Sequence, residues 1–233
     1  MKILHWYYDL MNLYGDYGNI IVLKKHLNDQ GIDIILDKKT IGDNINLDDY
    51  DFIYIGSGTE SKQELVRQDI LNYYDDLKRY IESNKVILVT GNSLELFGKS
   101  IDDKEALALL DIKTINTIDR YTGDVIVKND EIGELVGFIN KCSLIEENIN
   151  DKLFDYIFKD NNLKDNDFEG YRYHNLFGTH LLGPILVKNP CFMEYIIKII
   201  LNNKNIEYKD VNYIYEEESY NVTLNALKGR MHK

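Results

Sequence analysis

The chain has two prolines, two cysteines and one tryptophan in 233 residues, and no run of about 18 apolar residues, the length that crosses a bilayer as a helix. Each shortage excludes something. Cys142 and Cys191 are too few and too far apart for a disulfide framework or a cysteine metal site. His5, His26, His174 and His232 lack ligand spacing of the HExxH kind, so no metal is expected. No repeat, low-complexity stretch or proline-rich linker interrupts the sequence, so a single domain spanning 1–233 is expected. Without a long apolar run no membrane span is expected. Met1-Lys2-Ile3-Leu4-His5-Trp6 lacks the apolar core and small-residue cleavage site of a signal peptide; it reads as a strand, and the cytoplasm is the expected location. Basic residues are also short. Lys and Arg number 27 against 39 Asp and Glu, a net charge of −12, which argues against nucleic-acid phosphates as partners. No GxxxxGK[ST] loop is present, so any ATP-driven activation of a carboxylate must happen on another protein.

What is present reads as an α/β protein. Hydrophobic residues make up 44% and charged residues 28%, ordinary for a globular chain long enough to bury a large core. Strand-length apolar runs at 3–8, 32–36, 52–55 and 85–90 alternate with helical periodicity at 19–28 and 61–83, the pattern of βαβ units on a parallel sheet. Short strands are expected at 114–118, 124–127, 135–139 and near 175–182, with Thr122-Gly123-Asp124 as a turn. The polar stretch 146–167 predicts a helix flanked by loops. A helix at 191–201 is predicted with Asn189 as N-cap and Pro190 in its first position, and a last helix at 217–227.

Four segments carry more than fold class. Asn12-Leu13-Tyr14-Gly15-Asp16-Tyr17-Gly18-Asn19 lies where a strand turns into a helix, where glycines let backbone and helix N–H groups approach a ligand. The stretch 11–23, MNLYGDYGNIIVL, resembles the opening signature of GatD-type glutaminases, the amidotransferase subunits of lipid II isoglutaminyl synthase and relatives of the cobyric acid synthase glutaminase domain. Phe52 to Glu60, with Gln63 beyond, is similar to that family's strand and glycine-rich loop. Asp119-Arg120-Tyr121-Thr122-Gly123-Asp124 resembles its substrate-binding segment, and Leu176 to Leu186 the segment that holds its histidine. The four matches run in the same order over about three quarters of the chain.

The resemblance implies a three-layer α/β sandwich of the class I glutamine amidotransferase type with a mostly parallel central sheet. It also implies an activity. Active members release ammonia from glutamine and pass it to a Mur-ligase-like partner, MurT, which uses ATP to amidate D-glutamate in the lipid II stem peptide. No cofactor is implied for the glutaminase side. Glutamine or a related small molecule is the implied ligand, and a heterodimer the implied assembly.

Both catalytic side chains are missing. The family has Cys-Gly-Gly-aromatic-Gln, two apolar residues, Gly and Lys after its fourth strand. Aligning Gly98-Lys99 puts Gly91 at the cysteine and Glu95 at the glutamine. In Gly-Thr-aromatic-Leu-His-Gly-Pro the histidine position holds Leu182. Losing either member of a nucleophile–base pair removes most of the rate, so a glutaminase-deficient scaffold or regulator of the ligase is expected. Two other readings compete: an active glutaminase whose nucleophile lies elsewhere, and a serine hydrolase using Ser93 with His180, a residue that strand geometry would set about 6.6 Å from position 182 on the same face. Ser93, however, falls in a first helical turn, where hydroxyls bond backbone.

By resemblance Arg120 contacts the substrate, as a guanidinium suits a carboxylate; it also reads as a surface arginine balancing Asp119. Gly56, Ser57 and Gly58 would line the oxyanion pocket, or form a plain turn. Cys191 near a helix start reads as a small buried hydrophobe rather than an activated thiol, and Cys142 as structural.

Overall fold

The computed structural model describes residues 1–146, 151–164 and 167–231. Four runs form parallel strands, three of them buried and the edge strand β2 not: β1 (Lys2–Trp6), β2 (Ile35–Lys39), β3 (Phe52–Ile55) and β4 (Val86–Thr90). Helix α1 (Tyr17–Asp29) joins β1 to β2, and α2 (Glu60–Ile70) and α3 (Tyr74–Glu82) join β3 to β4. The single helix expected at 61–83 is thus two, broken by a short 3₁₀ turn at Leu71–Tyr73.

Strand alternation sorts the core into two faces. Ile3, Phe52, Tyr54, Val86 and Leu88 pack on one side with Ile20, Leu23 and Leu27 of α1. Leu4, Ile53, Ile55, Ile87 and Val89 pack on the other with Val66, Ile70, Leu77 and Ile81 of α2 and α3. Strands buried on both faces read as continuous apolar runs, and the result is the expected three-layer sandwich.

The second half is mostly antiparallel, with β5 on β7 and β11 on β4 parallel, and departs further from expectation. After β5 (Ser100–Ile101) and β6 (Lys104–Glu105), the runs at 114–118 and 124–127 are one long strand, β7 (Lys113–Asn129). Thr122-Gly123-Asp124 lies inside it, with Gly123 opposite Ile139 of β8 (Gly133–Glu146). A Cβ on Gly123 would meet Asp160 Cβ at 2.6 Å; the glycine admits that close neighbour rather than turning the chain. The helix expected within 146–167 is instead strand β9 (Lys152–Lys159), with 147–150 and 165–166 outside the described residues. His232 lies outside them as well. Strands β10 (Phe168–Tyr173) and β11 (Leu176–Thr179) complete the sheet, whose order among the described residues is β2-β1-β3-β4-β11-β10-β9-β7-β5-β6, with β8 on β7. Helices α4 (Ile185–Lys188), α5 (Pro190–Asn202) and α6 (Ile214–Lys228) follow.

Strand β8 has an edge that other segments cover. Leu182 N donates to Phe138 O at 2.8 Å, and Tyr220 Oη to Glu134 O at 2.7 Å. Asn189 takes the middle. Its Oδ1 accepts from Val136 N at 2.8 Å and its Nδ2 donates to Val136 O and Ile185 O, both at 2.9 Å. Asn189 therefore sits at the start of α5 without capping it through its side chain. The main-chain partner matters more, because a covered edge strand must have its polar groups satisfied. Asn189→Ala strands the Val136 amide and is expected to cost about 2–4 kcal/mol in urea unfolding; a loss below about 0.5 kcal/mol would show the edge to be satisfied otherwise.

Candidate functional site

The site forms where the carboxyl ends of the parallel strands open, the usual ligand position in α/β sheets. Strand β4 ends at Thr90, and Gly91 follows with φ +62°, a left-handed conformation that opens a 3₁₀ helix over Gly91–Phe97. A side chain there has no room. A Cβ on Gly91 would press on Ser57 Oγ, meet Ser57 Cβ at 2.6 Å and meet Leu182 Cδ2 at 3.1 Å. The two positions aligned with nucleophile and base thus do face one another, and they hold a bare backbone and an isobutyl group.

The proposed serine alternative fares no better. Ser93 is buried, and its Oγ donates to Thr90 O at 2.8 Å and Ile55 O at 3.1 Å. His180 is also buried, but between two carboxylates: Nε2 lies 3.4 Å from Glu95 Oε1 and Nδ1 3.7 Å from Glu169 Oε1. Strand β11 stops at Thr179, one residue short of it. Among the described residues no hydrogen bond joins Ser93 to His180.

The loop after β3 would supply oxyanion donors through its amides, and these are already engaged. Ser57 N donates to Asp16 Oδ2 at 2.5 Å, and Gly58 N donates to Asn92 Oδ1 at 3.0 Å. Ser57 Oγ reaches the same Asn92 oxygen at 3.4 Å. Asn92 therefore presents its own carboxamide oxygen to the loop that would hold a substrate's. Asp16 is fully buried, and that burial pushes its carboxyl up to about 7, against the pull of the Ser57 amide.

Side chains from four elements close the mouth above. Arg120 Nη1 donates to Asn140 Oδ1 at 2.8 Å and Nη2 to Glu60 Oε1 at 3.3 Å. Cys142 Sγ donates to Glu60 Oε1 at 2.8 Å, and Asn140 Nδ2 to Tyr14 Oη at 3.2 Å. The cavity left beneath Arg120, Asn92 and Ser57 is about 20 Å³, room for about one water. Deeper in, Glu95 Oε2 accepts from Gln63 Nε2 at 2.7 Å and Oε1 from Ser143 Oγ at 2.5 Å, while Glu169 accepts from Thr179 Oγ1 and His180 N, both at 2.6 Å.

Arg120, expected by resemblance to contact substrate, lines the cavity mouth and is paired with Glu60 and Asn140 rather than with Asp119. Ser57 and Gly58 line the cavity, whereas Gly56 packs against Met11 and Asp16. Cys142, expected to be structural, lies at the rim, and burial with the Glu60 carboxylate beside it pushes its thiol up to about 11. Cys191 sits at the start of α5, where burial pushes it likewise to about 11; neither thiol is activated. Sequence reasoning missed Asp16, Asn92, Glu60 and Glu169. The one signal for Asn92 was its place directly after Gly91. Among the described residues no three His, Cys, Asp or Glu side chains converge as a metal site.

Comparison with known proteins gives the family and the fold. A profile described as a CobB/CobQ-like glutamine amidotransferase domain matches residues 2–190. The protein of Staphylococcus aureus strain N315 named lipid II isoglutaminyl synthase (glutamine-hydrolyzing) subunit GatD is 29% identical over 214 residues, 90% of this chain and 88% of that protein. The protein of the same name from Streptococcus pneumoniae is 27% identical over 212 residues, 88% of this chain and 82% of its own. Among solved structures, that of PurLQS from Thermotoga maritima superposes with a TM-score of 0.57 at 14% identity, covering 86% of this chain and 97% of that one. A glutamine amidotransferase crystal structure gives 0.54 at 13% identity, with 84% and 98% covered. At such identities the structures establish the fold: the class I glutamine amidotransferase sandwich.

Two outcomes are expected at the elbow. Gly91→Cys should destabilise the chain by about 2 kcal/mol, from left-handed backbone and the Ser57 clash, and should release no glutamate from glutamine; stable folding with turnover would contradict the geometry. Asp16→Asn tests the buried carboxyl. A carboxyl raised to about 7 from an unfolded value near ~3.9 contributes stability that is complete below the lower value and lost as pH rises through the higher one. The thermal midpoint of Asp16→Asn should therefore gain on wild type at pH 8 and lose that advantage toward pH 5. An equal difference at both pH values would contradict the raised carboxyl.

Proposed function

Because the chain belongs to the CobB/CobQ-like glutamine amidotransferase family and is GatD-like, we propose that it is the amidotransferase-type subunit of a lipid II isoglutaminyl synthase and does not itself hydrolyse glutamine. It works as one domain over 1–233, as scaffold or regulator of a Mur-ligase-like partner of the MurT type. That partner uses ATP to amidate D-glutamate of the peptidoglycan precursor with free ammonia. An ATP-dependent partner implies the cytoplasm.

The observation that carries this reading is the elbow. Acyl transfer from glutamine needs a nucleophile, a group to manage its proton, and donors aimed at the oxyanion. Here the first position is Gly91 against Ser57, the second is Leu182, and the amides of Ser57 and Gly58 bond Asp16 and Asn92. The nucleophile–base unit accounts for most of the rate in such enzymes, and what remains without it is binding and oxyanion stabilisation. The second of these is also engaged within the chain. Neither cysteine stands in for the missing thiol, since both are held well above their ordinary value.

The test measures glutamate released from glutamine by the purified chain, alone and mixed with the ligase. The expected result is no release above the uncatalysed rate, while the ligase amidates its substrate when supplied with an ammonium salt. Release at about 1 s⁻¹ or faster, the range of working enzymes, would overturn the proposal.

A further inference from the structure

Helix α6 lies against the sandwich on little apolar surface. Of its 15 residues only Leu224 and Leu227 are buried. They meet Ile126 of β7 and Val136 of β8 in a small cluster apart from the two large ones. Polar contacts fasten the rest. At the far end Lys228 pairs with Glu134, and Arg230 with Asp124 and Asp160, partly exposed pairs of a kind worth little singly. A helix held this way is a unit that can open below the stability of the whole fold.

The near end differs, because its clasp is buried. His26 of α1 is 3% exposed. Its ring stacks on Tyr213 with centroids 3.8 Å apart, and its Nε2 lies 2.8 Å from Glu216 Oε2. A carboxylate only accepts, so the neutral ring carries its proton on Nε2. The groups facing the imidazole are Glu216 and Tyr213 from the α6 side and Lys25 and Asp29 from α1. Lys25 Nζ lies 3.2 Å from Glu216 Oε1 and 3.5 Å from Asp29 Oδ2, and Tyr213 Oη donates to Asp29 Oδ2 at 3.1 Å. Both carboxylates thus already answer to Lys25. A proton on His26 would put a second cation into a slot shielded from water.

We propose that α6 is an acid-released strap: protonation of His26 at the α1–α6 clasp frees the helix and uncovers the Glu134 end of the β8 edge, while the parallel sheet stays folded. Tyr220 Oη now donates to Glu134 O at 2.7 Å, and Val136 packs under the helix. The same strand carries Asn140 and Cys142 to the pocket mouth. Burial holds the His26 imidazole below its ordinary 6.5, against the pull of Glu216. A group held lower when docked than when free binds fewer protons docked. Docking is therefore strongest above the ordinary value and weakens as pH falls through it. The device is independent of the ligase partnership.

The experiment follows amide hydrogen exchange of the full chain by mass spectrometry at two pH values, one on either side of 6.5, with rates corrected for intrinsic exchange. Wild type, His26→Gln and Glu216→Gln are compared. In wild type, protection of the α6 amides should fall about threefold or more on the acid side, while protection in β3 and β4 does not fall with it. His26→Gln, which does not titrate, should give α6 the same protection at both values, whatever its level. Glu216→Gln removes the carboxylate that favours the charged ring and should make the acid loss steeper. Wild-type α6 protection that is equal or higher on the acid side would overturn the proposal. So would an acid loss of the same size in His26→Gln, or one shared by β3 and β4.

Discussion

The left-handed turn at Gly91 governs the rest of the site. It ends a fully buried parallel strand, at the point where the sandwich presents backbone to a ligand, and its φ of +62° and lack of Cβ let Ser57 and Leu182 close on it. A reactive side chain at that point would need Ser57 displaced. Displacing Ser57 would disturb the Asp16 contact to its amide and the Asn92 contact to its hydroxyl. The glycine at this turn is thus matched by the packing around it, beyond a single exchanged residue.

The closure proceeds outward in layers. Asn92 follows the turn and answers the loop amide of Gly58 with its own carboxamide. Glu95, on the same short helix, gathers Gln63 and Ser143 beneath the cavity and lies beside His180. Arg120, Glu60, Cys142, Asn140 and Tyr14 knit the rim. Buried polar groups that satisfy one another in this way rigidify a region, and here they leave few donors for a ligand. The layers, the strand order and the left-handed turn follow the family's fold, while the turn itself holds Gly91 and faces Leu182.

How much of this could be read in the sequence follows from where each residue's partners lie. The strands β1, β3 and β4 were legible because burial on both faces leaves unbroken apolar runs such as Phe52-Ile53-Tyr54-Ile55 and Val86-Ile87-Leu88-Val89. The long strand β7 was not, because Gly123 looks like a turn residue until Asp160, 37 positions later, is seen packed against it. The strand β9 was hidden by its charged ends and by pairing with β7 and β10, both distant or irregular in sequence. Gly91 and Leu182 were placed by local motif spacing, and a Cβ on Gly91 would lie 3.1 Å from Leu182 Cδ2. Asp16, Asn92 and Glu169 act through contacts spanning 41, 34 and 11 positions, which no local spacing announces.

The most direct test of the central claim is chemical capture of the nucleophile itself. The purified chain is incubated with an electrophilic glutamine analogue, a diazoketone that alkylates the thiolate of working glutaminases, and its intact mass is recorded with a peptide map. The account predicts an unmodified mass after prolonged exposure, because no activated nucleophile reaches the elbow. A stoichiometric adduct that glutamine protects against, on Cys142, Ser93 or any other side chain at the pocket, would contradict it.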